Sequence, residues 1–196
     1  MSVLAIAGSP QENSRSRRLL DFLAAELAKQ GIVVEILSVR DLPAADLLHA
    51  RVDSPAITNA RAQVARANGI LIATPVYKAS YAGLLKAFLD LLPQNALQGK
   101  VVLPLTTGGS VAPHTLALDY GLRPVLAAIG SPQVLGGLYV LDSQLNGATD
   151  QALQLEPDID VRLREGLQQF LKALDGLAPT AIPSPIPAVP LRSAAA

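Results

Sequence analysis

Cysteine is absent from this chain, and its only sulfur-containing residue is Met1. That excludes disulfides, thiolate metal sites and a cysteine nucleophile. His49 and His114 are the only imidazoles, too few for a histidine-built metal centre, and no metal site is predicted. Net charge is missing too, because 16 basic residues stand against 16 acidic ones. Nothing in that balance argues for a nucleic-acid surface or an anionic membrane. No apolar run reaches the roughly 18 residues that a transmembrane helix needs. No basic segment precedes the first apolar run, so no signal peptide is expected, and a cytoplasmic location follows by elimination. The scarcity of sulfur has two readings. One is a composition skewed towards Ala and Leu. The other is a protein made when sulfur is limiting, since a core rich in Leu and Val ordinarily uses some Met as gap-filler.

What is present is a chain of 196 residues, half of them hydrophobic, long enough for one domain with a full core. Apolar, β-rich runs fall at residues 3–7, 32–37, 69–73, 101–106 and 132–140. The first four are continuous rather than alternating, as buried parallel strands are. Helical patterns separate them, at 16–30, 56–68, 81–92, 112–129 and 156–174. Asp53-Ser54-Pro55 is a helix start, and Gly31 and Pro93 are helix stops. This alternation predicts an α/β fold: a flavodoxin-like, doubly wound, five-stranded parallel sheet of order 2-1-3-4-5. Residues 1–176 form the expected domain. Residues 177–196 form a Pro-rich tail carrying Pro179, Pro183, Pro185, Pro187 and Pro190. The polar link 141–155 is long for such a fold, and links of that length are often functional or interfacial.

Pro124 lies well inside the fourth helical pattern, with Gly121 before it. Proline has no N–H for the Tyr120 carbonyl, so the hydrogen-bond ladder fails near residues 119–121. A kink is the ordinary outcome, and a π-bulge, a feature of functional sites, is the rarer one. Tyr120 suits an exposed or interfacial place, being half apolar and half polar.

In this fold ligands sit beyond the C-terminal ends of the strands. Three loops end there. The first is Gly8-Ser9-Pro10-Gln11-Glu12-Asn13-Ser14-Arg15-Ser16, which runs into a helix. Free backbone N–H groups and the positive end of the helix dipole face such a loop. The hydroxyls of Ser9, Ser14 and Ser16 and the charge of Arg15 make it a phosphate site, and a helix cap at Ser14 is the alternative reading. It is neither a dinucleotide fingerprint nor a P-loop. The second loop holds Thr74, Pro75, Val76, Tyr77 and Lys78, and the third holds Thr107, Gly108, Gly109 and Ser110. Together they suit a planar ring: a rigid apolar edge, a possible cation at Lys78, and glycines that let backbone N–H groups come close. The competing reading is that Pro75 and the Gly pair only shape tight turns.

Other chemistries fare worse. Ser9 sits in Gly-Ser-Pro rather than Gly-x-Ser-x-Gly, and neither His has an acidic neighbour suited to a triad. His114 reads as a helix-end residue, His49 as a surface residue, and Tyr81 as packing. Arg15, Arg17 and Arg18 read as a solvated helix face, although their position also suits a 2′-phosphate.

Several blocks resemble one family, the NADPH-dependent FMN reductases. They are Gly8-Ser9-Pro10 with Ser14-Arg15-Ser16, Ala73-Thr74-Pro75-Val76-Tyr77-Lys78, Gly83-Leu84-Leu85-Lys86, and Thr107-Gly108-Gly109-Ser110. Arg51-Val52-Asp53-Ser54-Pro55-Ala56, Ala96-Leu97-Gln98-Gly99-Lys100 and Asp119-Tyr120-Gly121-Leu122-Arg123-Pro124 are similar to its branch that serves bacterial alkanesulfonate utilisation. The resemblance implies hydride transfer from NADPH to FMN with no catalytic side chain, and FMNH2 delivered to an alkanesulfonate monooxygenase. It implies that Ser9, Ser14, Arg15 and Ser16 hold the flavin phosphate, and that the second and third loops hold the ring. It also implies a π-helix placing Tyr120 at the interface of a tetramer. The chain departs from the family where Gln11 replaces a frequent Arg and Val76 a frequent Glu, and by one extra residue near Pro113-His114. The alternatives are an FMN-retaining quinone or azo reductase and a flavodoxin-type electron carrier.

Overall fold

The computed structural model describes residues 1–109, 116–146 and 153–177. In chain order these form β1 (Val3–Ala7), α1 (Arg15–Ala28), β2 (Val34–Ser38), α2 (Ala44–Leu48), α3 (Pro55–Arg66), β3 (Gly69–Tyr77), β4 (Ser80–Tyr81) and α4 (Gly83–Leu89). Then come β5 (Val101–Gly108), a π-helical turn (Ala117–Leu122) continuing into α5 (Arg123–Ala128), β6 (Gln133–Val134), β7 (Leu138–Leu141), β8 (Leu145–Asn146), β9 (Gln154–Leu155) and α6 (Pro157–Asp175). Ser110 and His114, most of the expected Pro-rich tail, and 147–152 within the polar link lie outside the described residues.

The sheet order is β2-β1-β3-β5, with β6 and β7 both beside β5 and all of these pairings parallel. This is the expected flavodoxin-like order, its fifth strand broken in two. Val3 pairs with Val34 on one side and Gly69 on the other, and Gly69 pairs with Val101. Successive side chains of a strand point to opposite faces, so each buried strand serves two cores. Leu4, Ile6, Ile70, Ile72 and Val102 pack with Ile57 and Val64 of α3, Leu85 and Phe88 of α4, and Leu122 and Leu126. Val3, Ala5, Leu71, Val101, Leu103 and Leu105 pack with Leu19, Leu20, Leu23 and Leu27 of α1 and with Ile159, Leu163, Leu167 and Phe170 of α6. Ser14 and Ser54 cap α1 and α3 by accepting the Arg17 and Ile57 N–H groups. Among the described residues, no helix is long and apolar enough to cross a membrane.

Several boundaries and short elements differ from the sequence pattern. The third strand runs on through Pro75 to Tyr77, and Ser80–Tyr81 folds back on it as an antiparallel pair. The third helix therefore starts at Gly83, not at residue 81. Lys78 and Ala79 make this two-residue turn with φ of +50° and +62°, a conformation that propensity alone would not assign to them. The short α2 has no long apolar stripe to announce it and was not predicted.

The fourth helix contains the rarer of its two predicted outcomes. The Arg123 N–H bonds the Leu118 carbonyl five residues back, a π-helical bond, and Pro124 follows directly. The wide turn shapes its surroundings. The Arg123 guanidinium donates to the carbonyls of Val134 at 2.9 Å and Leu135 at 3.3 Å, where the fifth strand breaks. Gly137 lies so near Leu118 that a Cβ there would stand 2.1 Å from Leu118 Cδ2. Gly137→Ala is expected to destabilise the fold by about 1–3 kcal/mol through this overpacking. Urea denaturation followed by circular dichroism measures it, and an unchanged midpoint would mean that Leu118 yields freely.

Candidate active site

The strand register brings the three loops to one edge. Ala7 pairs with Ala73, and Pro75 pairs with Thr107. The Gly8 N–H adds one more rung, donating to the Ala73 carbonyl at 2.8 Å. Gly8 also lies against α4, and a Cβ there would stand 2.9 Å from Leu85 Cβ. The first loop is thus held close to the sheet and to the α4 face at once.

Within that loop Ser9, Ser14 and Ser16 are all buried. Ser9 Oγ accepts the Gln11 N–H at 3.1 Å, Ser14 Oγ accepts the Arg17 N–H at 3.1 Å, and the Ser14 and Ser16 hydroxyls lie 3.2 Å apart. Buried hydroxyls are costly unless they bond, so their gathering at a helix N-terminus fits an oxyanion ligand. A cavity of about 180 Å³ opens here, lined by Ser9, Gln11, Ser14, Arg17, Ser38 and Arg40, with Glu12 and Asp41 also at its wall. The loop is therefore both things the sequence allowed: a capped turn and a polar pocket. Gln11 lines this pocket. Arg15 does not line it. Its guanidinium, 55% exposed, lies 3.6 Å from the Asp142 carboxylate at the end of β7.

Arg40 and Ser38 were not among the sequence candidates. Ser38 is the last residue of β2 and Arg40 lies two residues further on, at the same sheet edge, and that position is the available signal. Arg40 donates to the Pro10 carbonyl at 3.3 Å and lies 4.0 Å from Glu12 and 3.8 Å from Asp41. Arg17 pairs with Asp21 at 2.9 Å.

The second loop is the β3–β4 hairpin. Thr74 is fully buried, and its hydroxyl accepts the Ala82 N–H at 3.1 Å and donates to the Pro75 carbonyl at 3.2 Å. Thr74 thus locks the turn and has little capacity left for a ligand. Val76 is buried opposite Tyr81, while Tyr77 is exposed at the tip and Lys78 occupies the turn. Burial, and then the Asp90 charge, raise the Tyr81 phenol above its ordinary pKa, so it stays a neutral packing group. The third loop begins inside β5, which runs past the predicted end at residue 106 to take in Thr107 and Gly108. Thr107 is buried, and Gly109 has open space where a Cβ would project. Thr106, beside Thr74 in the register, has a buried hydroxyl with no hydrogen-bond partner among the described residues. Ser110 falls outside the described residues, as does His114. His49 is exposed after α2. Among the described residues no cluster of His, Asp or Glu could hold a metal.

The edge combines a polar pocket at a helix N-terminus with a stiff hairpin and an open glycine turn. That fits a phosphorylated ligand with a flat ring. Thr74→Val should cost about 1–3 kcal/mol, because the Ala82 N–H loses its buried acceptor, whereas Thr74→Ser should retain most of the stability. Denaturation midpoints of the two variants check this.

Comparison with known proteins identifies the family. The family model described as NADPH-dependent FMN reductase matches residues 1–146. A protein of Pseudomonas putida named FMN reductase (NADPH) is 47% identical over 175 residues, covering 89% of this chain and 88% of that protein. One of the same name from Escherichia coli K12 is 45% identical over 174 residues, covering 89% and 90%. Among solved structures, an apo NADH:FMN oxidoreductase is 42% identical with a TM-score of 0.79, covering 88% of this chain and 89% of that one. An archaeal flavodoxin, 13% identical with a TM-score of 0.61, shares the fold and covers 89% and 99%. The chain belongs to the NADPH-dependent FMN reductases.

Proposed function

We propose that the first loop takes the phosphate of FMN, that the β3–β4 hairpin and the turn after β5 border its ring, and that the reduced flavin leaves for an alkanesulfonate monooxygenase. The observation that carries this is the group of buried hydroxyls of Ser9, Ser14 and Ser16 at the start of α1, on the edge shared with the two flat loops. Arg15 and Arg17 flank the phosphate. Pro75, Val76 and Tyr77 form the apolar edge, with Thr74 holding it. Gly108 and Gly109 bring backbone near the ring. NADPH supplies the hydride, and FMN accepts it. The protein needs no side-chain acid or base for that transfer. Its residues orient the partners, exclude water and place charge, with Lys78 the nearest candidate cation for the ring.

Delivery to a monooxygenase rests on the long blocks shared with the alkanesulfonate branch and fits a chain whose only sulfur is Met1. It places the enzyme in the cytoplasm. NADPH oxidation measured with and without FMN, and again with NADH and with riboflavin, tests the reading. FMN should be required as a second substrate with sequential kinetics, and the purified protein should lose flavin on dialysis. Stoichiometric FMN retained through extensive dialysis would count against it. Ping-pong kinetics with a quinone or azo acceptor would favour the other reading, which has some support in a Bacillus relative, 29% identical, named NADPH azoreductase.

We also propose a tetramer joined through the π-helical turn. Tyr120 there is 79% exposed, with Leu116 exposed beside it. Such an amphipathic aromatic is suited to a buried contact between subunits, where truncation costs about 2 kcal/mol or more. Tyr120→Ala should shift the assembly to smaller species in sedimentation velocity. Unchanged size at micromolar concentration would refute the interface.

A further inference from the structure

We infer that Asp142 keeps FMN loosely held by competing with the flavin phosphate for Arg15. The inference rests on the first loop being the phosphate site. Asp142 follows Leu141, the last residue of β7, which pairs with Gly108 of the third loop. Its carboxylate therefore rises from the ring end of the site, yet it lies 3.6 Å from the guanidinium of Arg15 on the phosphate loop. The turn that carries Asp142 does not need this carboxylate. Gln144 closes it instead, its Oε1 accepting the Leu141 N–H at 3.0 Å.

Other cations around the loop are paired too, with carboxylates on the loop itself, on α1 or just after β2. Arg17 meets Asp21 one turn along α1, and Arg40 lies near Glu12 and Asp41. Asp142 differs in reaching across from the far strand. A phosphate arriving at Arg15 meets a guanidinium already occupied by an anion. It must displace that carboxylate or share the cation with it, and either lowers affinity. Reduction of the ring leaves the phosphate unchanged, so the competition acts on FMNH2 as well. A flavin handed to another enzyme has to leave, and this pair favours departure without weakening the grip on the ring.

The pair is partly exposed, so the effect is modest and screened by salt. Asp142→Asn should lower the Kd for FMN about two- to five-fold in fluorescence titration, with no change for riboflavin, which lacks the phosphate. The gain should shrink at high ionic strength and vanish in an Arg15→Gln background, where nothing remains to compete for. Asp142→Ser, which removes the charge with a smaller side chain, should repeat the FMN-selective gain. An unchanged or raised Kd for FMN in both variants, or equal shifts for FMN and riboflavin, overturns the inference. If the unmodified protein binds riboflavin as well as FMN, the phosphate-loop reading fails first, and this inference falls with it.

Discussion

The site depends on one backbone hydrogen bond, from the Gly8 N–H to the Ala73 carbonyl at 2.8 Å. It carries the β1–β3 ladder one residue past the end of β1 and sets where the first loop leaves the sheet. The parallel register does the rest. With Ala7 beside Ala73 and Pro75 beside Thr107, the serine loop, the hairpin and the glycine turn cannot avoid sharing an edge. Gly8 is required in that place because Leu85 leaves no room for a Cβ. The loop is therefore held between sheet and helix, and Ser9 and Ser14 line a small polar space.

The π-helical turn supports that edge from the other side. Gly121 sits against Ser80 and Tyr81 of the hairpin, Gly137 sits against Leu118, and Arg123 takes two carbonyls at the break in the fifth strand. The missing N–H of Pro124 thus links three local features: the widened helix, the split strand and the backing of the hairpin. The same turn puts Tyr120 into solvent. The turn that backs the hairpin is thus also the one that displays an exposed aromatic.

Charge around the first loop is balanced as well as positive. Arg15, Arg17 and Arg40 each have a carboxylate within 4.0 Å. A pocket that binds and releases a dianion is better served by such a field than by unopposed cations, because release then restores ion pairs instead of leaving bare charge. The fold shared with flavodoxin is common to carriers and enzymes alike, so handling of the flavin has to come from details of this kind.

Much of this was readable from the chain alone. Continuous apolar runs gave away buried parallel strands, and their alternation with amphipathic helices gave away the strand order. Ser14 and Ser54 announced helix starts, and Pro124 announced a broken ladder. These signals are local: they follow from side-chain periodicity, missing N–H groups and capping hydroxyls. Other features were not legible. The part Thr74 plays in the turn is one, because its partner, the Ala82 N–H, arrives only when β4 folds back. Arg15 looked free to meet a phosphate, and the carboxylate beside it comes from a strand on the far side of the sheet. Arg40 joined the pocket through β2, whose end reaches the edge only once the sheet is assembled. The sequence by itself determined the main elements and their order. Only the tertiary structure decided which hydroxyls and charges remain available, since burial and pairing depend on neighbours that chain order does not reveal.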